Sequence, residues 1–389
     1  MDAQVMRGAT DFFDGLEDPR VVGRCDHRLI DIVMIALVAT MGDTDDWQEV
    51  AMFGRLHRDW FDTFLELPNG IPSPDTFERL FARLDPTQMN ACFERWTTHL
   101  YALLHPQTQG RRMIAIDGKT LRGSNKARNS TDQKPLHLVS AWSHEVKLVL
   151  GQVATGEKSN EITAVPELLE MLDLRGATVT IDAMGCQKEI AQKLHENKAD
   201  YALALKGNHE KLHTQAVLLM SEADDSEASL TRATHRTDER GHGRQETRVY
   251  TTVTLDDRAT HRIDGATRGD WPGLSAIGQV VGTRTIKGKT TTQTRYYLLS
   301  DADVQHFAQA VRGHWGIENR LHWVLDVTMG EDGNRTSKDH GPENLAILRR
   351  LALNLFRANR DRNKIALKNQ RKMIGWDINT VQTLLNGVF

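Results

Sequence analysis

The chain has 389 residues, 39% of them hydrophobic and 26% charged. That is long enough for two or three buried cores and too apolar for a disordered chain. The formal net charge is −3, which taken alone argues against a nucleic-acid partner. The longest apolar run, "IDIVMIALVATMG" from Ile30, carries Asp31 and is too short to span a bilayer, so no membrane is expected. "MDAQVMRGATDFFDG" lacks a basic region followed by an apolar block and a cleavage site, so no secretory signal is expected. Cys25, Cys92 and Cys186 are scattered and odd in number. They fit a reducing cytosol and exclude a disulfide framework and a Cys-based zinc cluster.

The charge is unevenly spread. Residues 1–100 hold eighteen acidic residues against nine Lys and Arg, a balance of −9. From Leu345 to Lys372 nine basic residues face one acid, Asp361, a balance of +8. A basic segment of this kind binds phosphate locally whatever the overall pI, or is simply a solvated helix face.

In chain order, residues 11–104 read as helices. "RLIDIVMIALVATMG", "DWQEVAMFGRLHRDWFDTFL" and "PDTFERLFARL" are apolar at three- and four-residue spacing, with "LPNGIPSP" as a turn. Ser73 is placed to cap the third, with Pro74 at its first position. Trp47, Trp60 and Trp96 are expected in this core. From Arg111 the pattern changes: "RRMIAIDGK", "LHLVSAWSHE" and "KLVLGQVAT" read as three strands. "NEITAVPELLEMLDL" reads as a helix, "ATVTIDAMG" as a strand, "CQKEIAQKLHENK" as a helix and "ADYALALKG" as a strand. This order describes a mixed sheet covered by helices.

After Gly207 the stretch "SEADDSEASLTRATHRTDERGHGRQET" is polar and reads as loop, followed by three β-like runs, "TRVYTTVTL", "LSAIGQVVGTRTI" and "TTTQTRYYLLS". The tail from Pro342 reads as amphipathic helix with its basic residues outward. The expected domains are therefore an N-terminal helical domain (1–108), the first part of an α/β core (109–210), a β-rich insertion (211–298), the last part of the core (299–356) and a basic helical tail (357–389).

Two core strands end in aspartate, Asp117 in "MIAIDGK" and Asp182 in "TVTIDAMG". Strand carboxyl ends are where open sheets build sites, although an aspartate there is also a common turn-former or helix cap. A third carboxylate, Glu318, sits in "FAQAVRGHWGIENRLHWVLD" among apolar and aromatic residues, with His314 and His322 four residues to either side. Three converging carboxylates repel one another unless a cation lies between them. Hard oxygen ligands suit Mg²⁺ or Mn²⁺, and two such ions activate a hydroxyl nucleophile and steady the leaving oxygen of a phosphoryl transfer. Lys119, Arg122, Lys126 and Arg128 follow Asp117, and Lys206 and His209 follow the fifth strand. These cations could hold a phosphodiester backbone.

The segments "FFDGLEDPRV", "GIPSPDTFERLFARL", "AIDGKTLRGS", "TIDAMGCQ", "YALALKGNHE" and "HWGIENRLHWVLDVTMGEDGNRTSKDHGPENLAILRRLALNLF" together resemble the insertion-sequence DDE transposases. More narrowly they resemble the branch that includes the H-repeat-associated proteins of Rhs elements, and the likeness runs from about Asp11 to Phe356. The resemblance implies a ribonuclease H-like catalytic core and Asp117, Asp182 and Glu318 as both catalytic and metal-binding residues. It also implies a β insertion before Glu318 and cut-and-paste movement of the element's own DNA. Related branches carry Tyr, Arg, Glu and Lys at offsets −7, −4, 0 and +7 on the last helix. Here Val311, His314, Glu318 and Leu325 stand there, so the roles of that Arg and Lys do not carry over.

Three other readings compete. His314, Glu318 and His322 at four-residue spacing could hold zinc or iron on one helix face. "VGTRTIKGKTT" suggests a phosphate-binding loop, but Thr283 stands where the first glycine belongs, and the segment reads as a hairpin turn. A catalytically inactive or domesticated DNA-binding descendant is the third.

The expected activity is cleavage of the element's ends by a water hydroxyl, then attack of each 3′-OH on target DNA. Both steps would use two Mg²⁺ ions, with Mn²⁺ able to substitute; Asp117 would be shared and Asp182 and Glu318 would complete one site each. Lys119, Arg122, Lys206, His322, Arg349 and Arg350 are the expected DNA contacts. Double-stranded DNA is the partner, a homodimer the working form on DNA, and the bacterial cytoplasm, at the nucleoid, the location.

Overall fold

The computed structural model describes residues 8–21, 23–105, 111–124, 135–156, 160–223, 230–241, 243–264, 271–359 and 364–386. Lys126 and Arg128 lie outside them. The chain divides into two compact units, one of residues 1–109, 118–158 and 318–389, the other of residues 110–117 and 159–317. Nine strands form one mixed sheet, in the order β3-β2-β1-β4-β5-β9-β8-β7-β6, with strand β1 (Met113–Thr120) contributing to both units.

The first unit is mostly helical. Helix α1 (Leu29–Met41) is buried from Asp31 to Met41, as its unbroken apolar run requires. Around it lie α2 (Trp47–Leu56), α3 (Pro74–Phe81) and α4 (Pro86–Leu104). Trp96 is fully buried against Phe12 and Phe13, while Trp47 and Trp60 are partly buried in ring contacts with Phe77 and Phe81 and with Phe61 and Phe64. Pro74 opens α3 as expected, but the Ser73 hydroxyl does not cap it and instead lies 3.0 Å from that of Thr76. The β2 (His137–Ser143) and β3 (Val149–Ala154) hairpin completes this unit's strands. A later helix fastens it: buried Asn354 accepts from Val149 N–H and donates to Val149 O and Thr97 Oγ1.

In the second unit β1 pairs in parallel with β4 (Thr178–Ile181), and β4 in parallel with β5 (Asp200–Leu205). Helices α5 (Glu161–Glu170) and α6 (Lys188–Glu196) precede β4 and β5, completing the expected helix–strand–helix–strand run. Helix α7 (Glu210–Glu222) then leads to four long antiparallel strands, β6 (Arg232–Gly241), β7 (Arg244–Thr254), β8 (Ala276–Ile286) and β9 (Lys289–Leu299), with α8 (Asp257–Asp264) between β7 and β8. The sequence pattern leaves β6 as loop. It is a sheet-edge strand without a fully buried residue, so it carries no apolar alternation to read. The β8–β9 connection is a two-residue turn, Ile286 pairing with Lys289, with Lys287 at φ 46° and Gly288 at φ 78°. Positive φ at both central residues is the hairpin type that matches strand twist, so "IKGKT" is a turn and not a phosphate loop.

Helix α9 (Val304–Gly316) packs on the sheet of this unit. Its anchor is Phe307, set edge-on to Tyr250 and Tyr297 at centroid separations of 6.1 and 5.2 Å. Gly278 on β8 makes room for it, since a Cβ there would come within 2.6 Å of the Phe307 ring. The helical run then passes through a π turn at Ile317–His322 before resuming as α10 (Trp323–Val327). The first unit ends with α11 (Gly341–Ala358), α12 (Leu367–Trp376) and α13 (Asn379–Leu385).

Candidate active site

The register of the parallel strands sets the first two carboxylates. Ile116 on β1 is paired with Ile181 on β4, so Asp117 and Asp182 are the next residues on two adjacent strands. Both are half-buried. Asp182 Oδ1 accepts from Met184 N–H at 2.9 Å and from Gly185 N–H at 3.4 Å, capping a 3₁₀ turn. The capping role that the sequence allows is thus filled by one oxygen, and among the described residues no ion pair involves Asp182. The loop leaving β5 is tied to this turn by Asn208 Nδ2, which donates to Ala183 O at 2.8 Å, and Lys206 on that loop is exposed.

Glu318 is exposed on the π turn, and among the described residues it has no ion-pair partner. Such π turns inside helices are concentrated at functional sites. His322, expected at the DNA, is instead buried, and it offers a ligand atom within 4.8 Å of one from Glu318. One turn before Glu318, His314 Nδ1 lies 2.9 Å from the Thr180 hydroxyl on β4. Burial pushes the His314 imidazole down to about 4, against the opposing pull of Asp182, so the ring is neutral at ordinary pH. With His314 committed to Thr180, the zinc or iron stripe along one helix loses a ligand atom.

A second acidic cluster lies in the first unit, and it overturns three of the expected DNA contacts. Lys119 is 7% exposed, its Nζ 2.6 Å from Asp326, 3.0 Å from Glu331 and 3.2 Å from Asp332. Glu331 and Arg350 are both fully buried and meet at 2.7 Å. Burial would raise the Glu331 carboxyl, but Arg350, Lys119 and Arg349 overrule it and hold it at about 2. Burial likewise works against the Lys119 ammonium, yet Glu331 and Asp326 keep its pKa above the usual lysine value. Arg349 is 4% exposed, and burial draws its guanidinium down to about 10. Lys119, Arg349 and Arg350 are therefore internal counter-ions and cannot grip a phosphate backbone. Gly123 is needed beside them, because a Cβ there would meet Asn334 O at 1.9 Å.

The basic tail follows the same rule. Arg371 is buried with Nη1 2.8 Å from Asp43, and Asp45 acts on both Arg349 and Arg371. Part of the −9 of the N-terminal segment thus neutralises part of the +8 of the C-terminal one. Lys364, Lys368 and Lys372 remain exposed, as does Arg122, whose side chain is 84% accessible. Between Arg371 and the three tail lysines the division is physical: a planar guanidinium suits buried pairing better than a strongly hydrated ammonium does.

Sequence pattern also left a cavity unannounced. On the second unit a space of about 410 Å³ lies over β7, β8, β9 and α9, lined by Arg248, Arg284, Arg295, Arg312 and the half-exposed Trp315. Arg248 and Arg312 reach Glu239 at 3.4 and 2.8 Å, and the Arg295 guanidinium stacks 5.1 Å from the Trp315 ring. Arginines two residues apart on neighbouring strands were the available signal, since alternate residues share a sheet face.

Known proteins agree on the class. The family described as Transposase DDE domain matches residues 108–355, and one described as DDE_Tnp_1-associated matches residues 10–97. The chain belongs to the DDE transposase family. It is 37% identical over 385 residues to YncI of Escherichia coli O157:H7, named for a transposase, with 96% of this chain and 93% of YncI covered. It is 34% identical over 380 residues to YhhI of Escherichia coli K12, named for an H repeat-associated transposase, with 96% of each covered. A solved piggyBac transposase synaptic complex with hairpin DNA is similar only loosely, at a TM-score of 0.38 and 11% identity over 98% of this chain and 77% of that one. Among the described residues no helix is long and apolar enough to cross a membrane.

Proposed function

We propose that the protein is a metal-dependent DNA transposase that cuts the ends of its element and joins them to target DNA, with Asp117, Asp182 and Glu318 as its catalytic carboxylates. The observation that carries this is the placement of Asp117 and Asp182 just past the last paired residues of two adjacent parallel strands, with the helix leading to Glu318 packed on β4, the strand that leads to Asp182. A ribonuclease H-like core is the finer reading of that sheet. The three carboxylates are hard oxygen donors that fit a divalent ion, and Asp182 and Glu318 have no protein cation against them among the described residues; His322 is a nitrogen donor within 4.8 Å of Glu318. Bound there, two Mg²⁺ ions, with Mn²⁺ able to replace them, would make a hydroxyl nucleophile available near neutral pH and stabilise the leaving oxygen.

The chain's own residues would do the rest. The three carboxylates hold fixed negative charge where DNA phosphate must approach. Lys206 and Arg122, exposed beside the two strand-end loops, offset that repulsion by contacting backbone phosphate. The arginine-lined cavity beside α9 would receive the DNA next to the cut, with Trp315 as a face for base or sugar. His322 is assigned to Glu318, which it can orient, and not to DNA. Two ends must be cut in one event, so the working form on DNA is a homodimer, acting at the nucleoid in the bacterial cytoplasm.

The test is to incubate purified protein with a plasmid carrying the DNA that flanks its gene, in Mg²⁺, Mn²⁺ or EDTA, beside Asp182→Asn. Metal-dependent cuts at the element ends that vanish in the variant are expected. Binding without cutting would make this an inactive descendant that only binds DNA. Cuts that persist in Asp182→Asn would refute the carboxylate assignment.

A further inference from the structure

We infer that Thr180 and His314 are positioning residues, fastening the helix that leads to Glu318 to the strand that leads to Asp182. This rests on the transposase reading. Thr180 lies two residues before Asp182 on β4, and His314 four residues before Glu318 on α9. Their side chains meet at 2.9 Å, and the Thr180 hydroxyl is also 3.5 Å from Ile114 O, on β1 three residues before Asp117. Each element that bears or leads to a proposed catalytic carboxylate therefore supplies one member of a small polar junction just short of it.

The helix needs such a fastener at this end. Its N-terminal half is held by the Phe307 seat between Tyr250 and Tyr297. Its last turn contains buried Gly313 and Gly316, which cost about 1 kcal/mol each in helix propensity relative to alanine. The π turn begins at the next residue, Ile317, so without the bond to Thr180 the approach to Glu318 would be the loosest part of the run.

The chemistry of the pair is suited to its place. A threonine hydroxyl has one proton. Given to Nδ1, it makes the ring an acceptor; given to Ile114 O, it leaves Nδ1–H to donate to the hydroxyl. Both arrangements use an uncharged imidazole, so the junction sets no fixed cation one turn from Glu318. Arg295, stacked on Trp315, adds to the pressure against protonation of His314.

The experiment compares full-length wild type with Thr180→Val, Thr180→Ser, His314→Leu and Asp182→Asn. Three quantities are followed: Mn²⁺ binding without DNA, from loss of the free-ion EPR signal, affinity for element-end DNA, and end cleavage. Thr180→Val and His314→Leu should weaken Mn²⁺ binding and slow cleavage by about 10–100-fold, the usual effect of losing a supporting contact behind a metal ligand. End-DNA affinity should be unchanged, and Thr180→Ser should restore most of both losses. Thr180→Val with wild-type Mn²⁺ affinity would overturn the inference, and so would Thr180→Ser no better than valine, which would make the effect one of packing. Wild type that binds Mn²⁺ without cutting would sink the transposase reading while the Mn²⁺ series still decides this one. Wild type without Mn²⁺ binding would refute both.

Discussion

Asp182 and the carboxylates around Lys119 are handled in opposite ways. Around Lys119 the carboxylates of Asp326, Glu331 and Asp332 are answered by protein cations, Lys119 itself and buried Arg350. Asp182 and Glu318 have no such answer among the described residues. The first arrangement is paired, dry and structural. In the proposed function those two carboxylates keep their charge for a divalent cation. Acidic residues alone do not mark a metal site; what matters is whether the fold has already neutralised them.

The comparison breaks most sharply on substitution. Asp182→Asn should abolish cleavage while leaving the thermal midpoint nearly unchanged, because the amide oxygen keeps the cap on the 3₁₀ turn and no ion pair among the described residues is lost. A large fall in midpoint, read by calorimetry, would place Asp182 with the structural acids. Glu331→Gln should do the reverse of harmless: Arg350 and Lys119 lose their buried partner, at a cost of about 3–5 kcal/mol. Urea unfolding measures it, and a change near zero would show that the buried cluster is not held together by charge.

The same contrast has a pH signature. Glu331 titrates at about 2 in the fold against an ordinary value of 4.5, because Arg350, Lys119 and Arg349 outweigh the burial that would raise it. A carboxyl depressed in the folded state contributes stability that is complete above about pH 5 and is lost as pH falls toward 2. The contribution amounts to about 3 kcal/mol. Stability measured from pH 6 to pH 2 should fall steeply in the wild type and less steeply in Glu331→Gln. Parallel curves would remove Glu331 from the acid limb.

How much of this the sequence declared depends on what kind of signal each feature leaves. The five core strands and their two helices were legible because apolar runs bounded by turn residues have one reading each. Asp182 was legible as the residue that follows its strand, whereas Asp117, read as a strand end, lies inside β1, which runs on to Thr120; Glu318 stood out as a carboxylate among apolar and aromatic residues, and the likeness to transposases gave it a role. Strand β6 was not, since a two-sided polar edge strand has no alternation. Nor could charge counting tell that Arg349, Arg350 and Arg371 turn inward: a helix with scattered basic residues looks amphipathic until the partner, Glu331 or Asp43, is known. Thr180 was invisible for the same reason, being one more β-branched residue in "TVTI" until His314 meets it.

The smallest effect tests the exposed side of the comparison. Arg122 follows the buried Lys119 by three residues, but its side chain is 84% accessible and reaches Asp332 only at 3.6 Å. An exposed pair of that kind is worth little to stability, so Arg122→Ala should shift unfolding by no more than about 0.5 kcal/mol. If the exposed cations are the ones that touch DNA, the same variant should weaken binding of any DNA sequence evenly and reduce the salt slope of log K by about 1. Lys119→Ala should do the opposite, destabilising the fold without a DNA-specific change in slope. Should Arg122→Ala leave the salt dependence untouched, the phosphate contacts belong elsewhere, and the exposed Lys364, Lys368 and Lys372 of the tail become the residues to remove next.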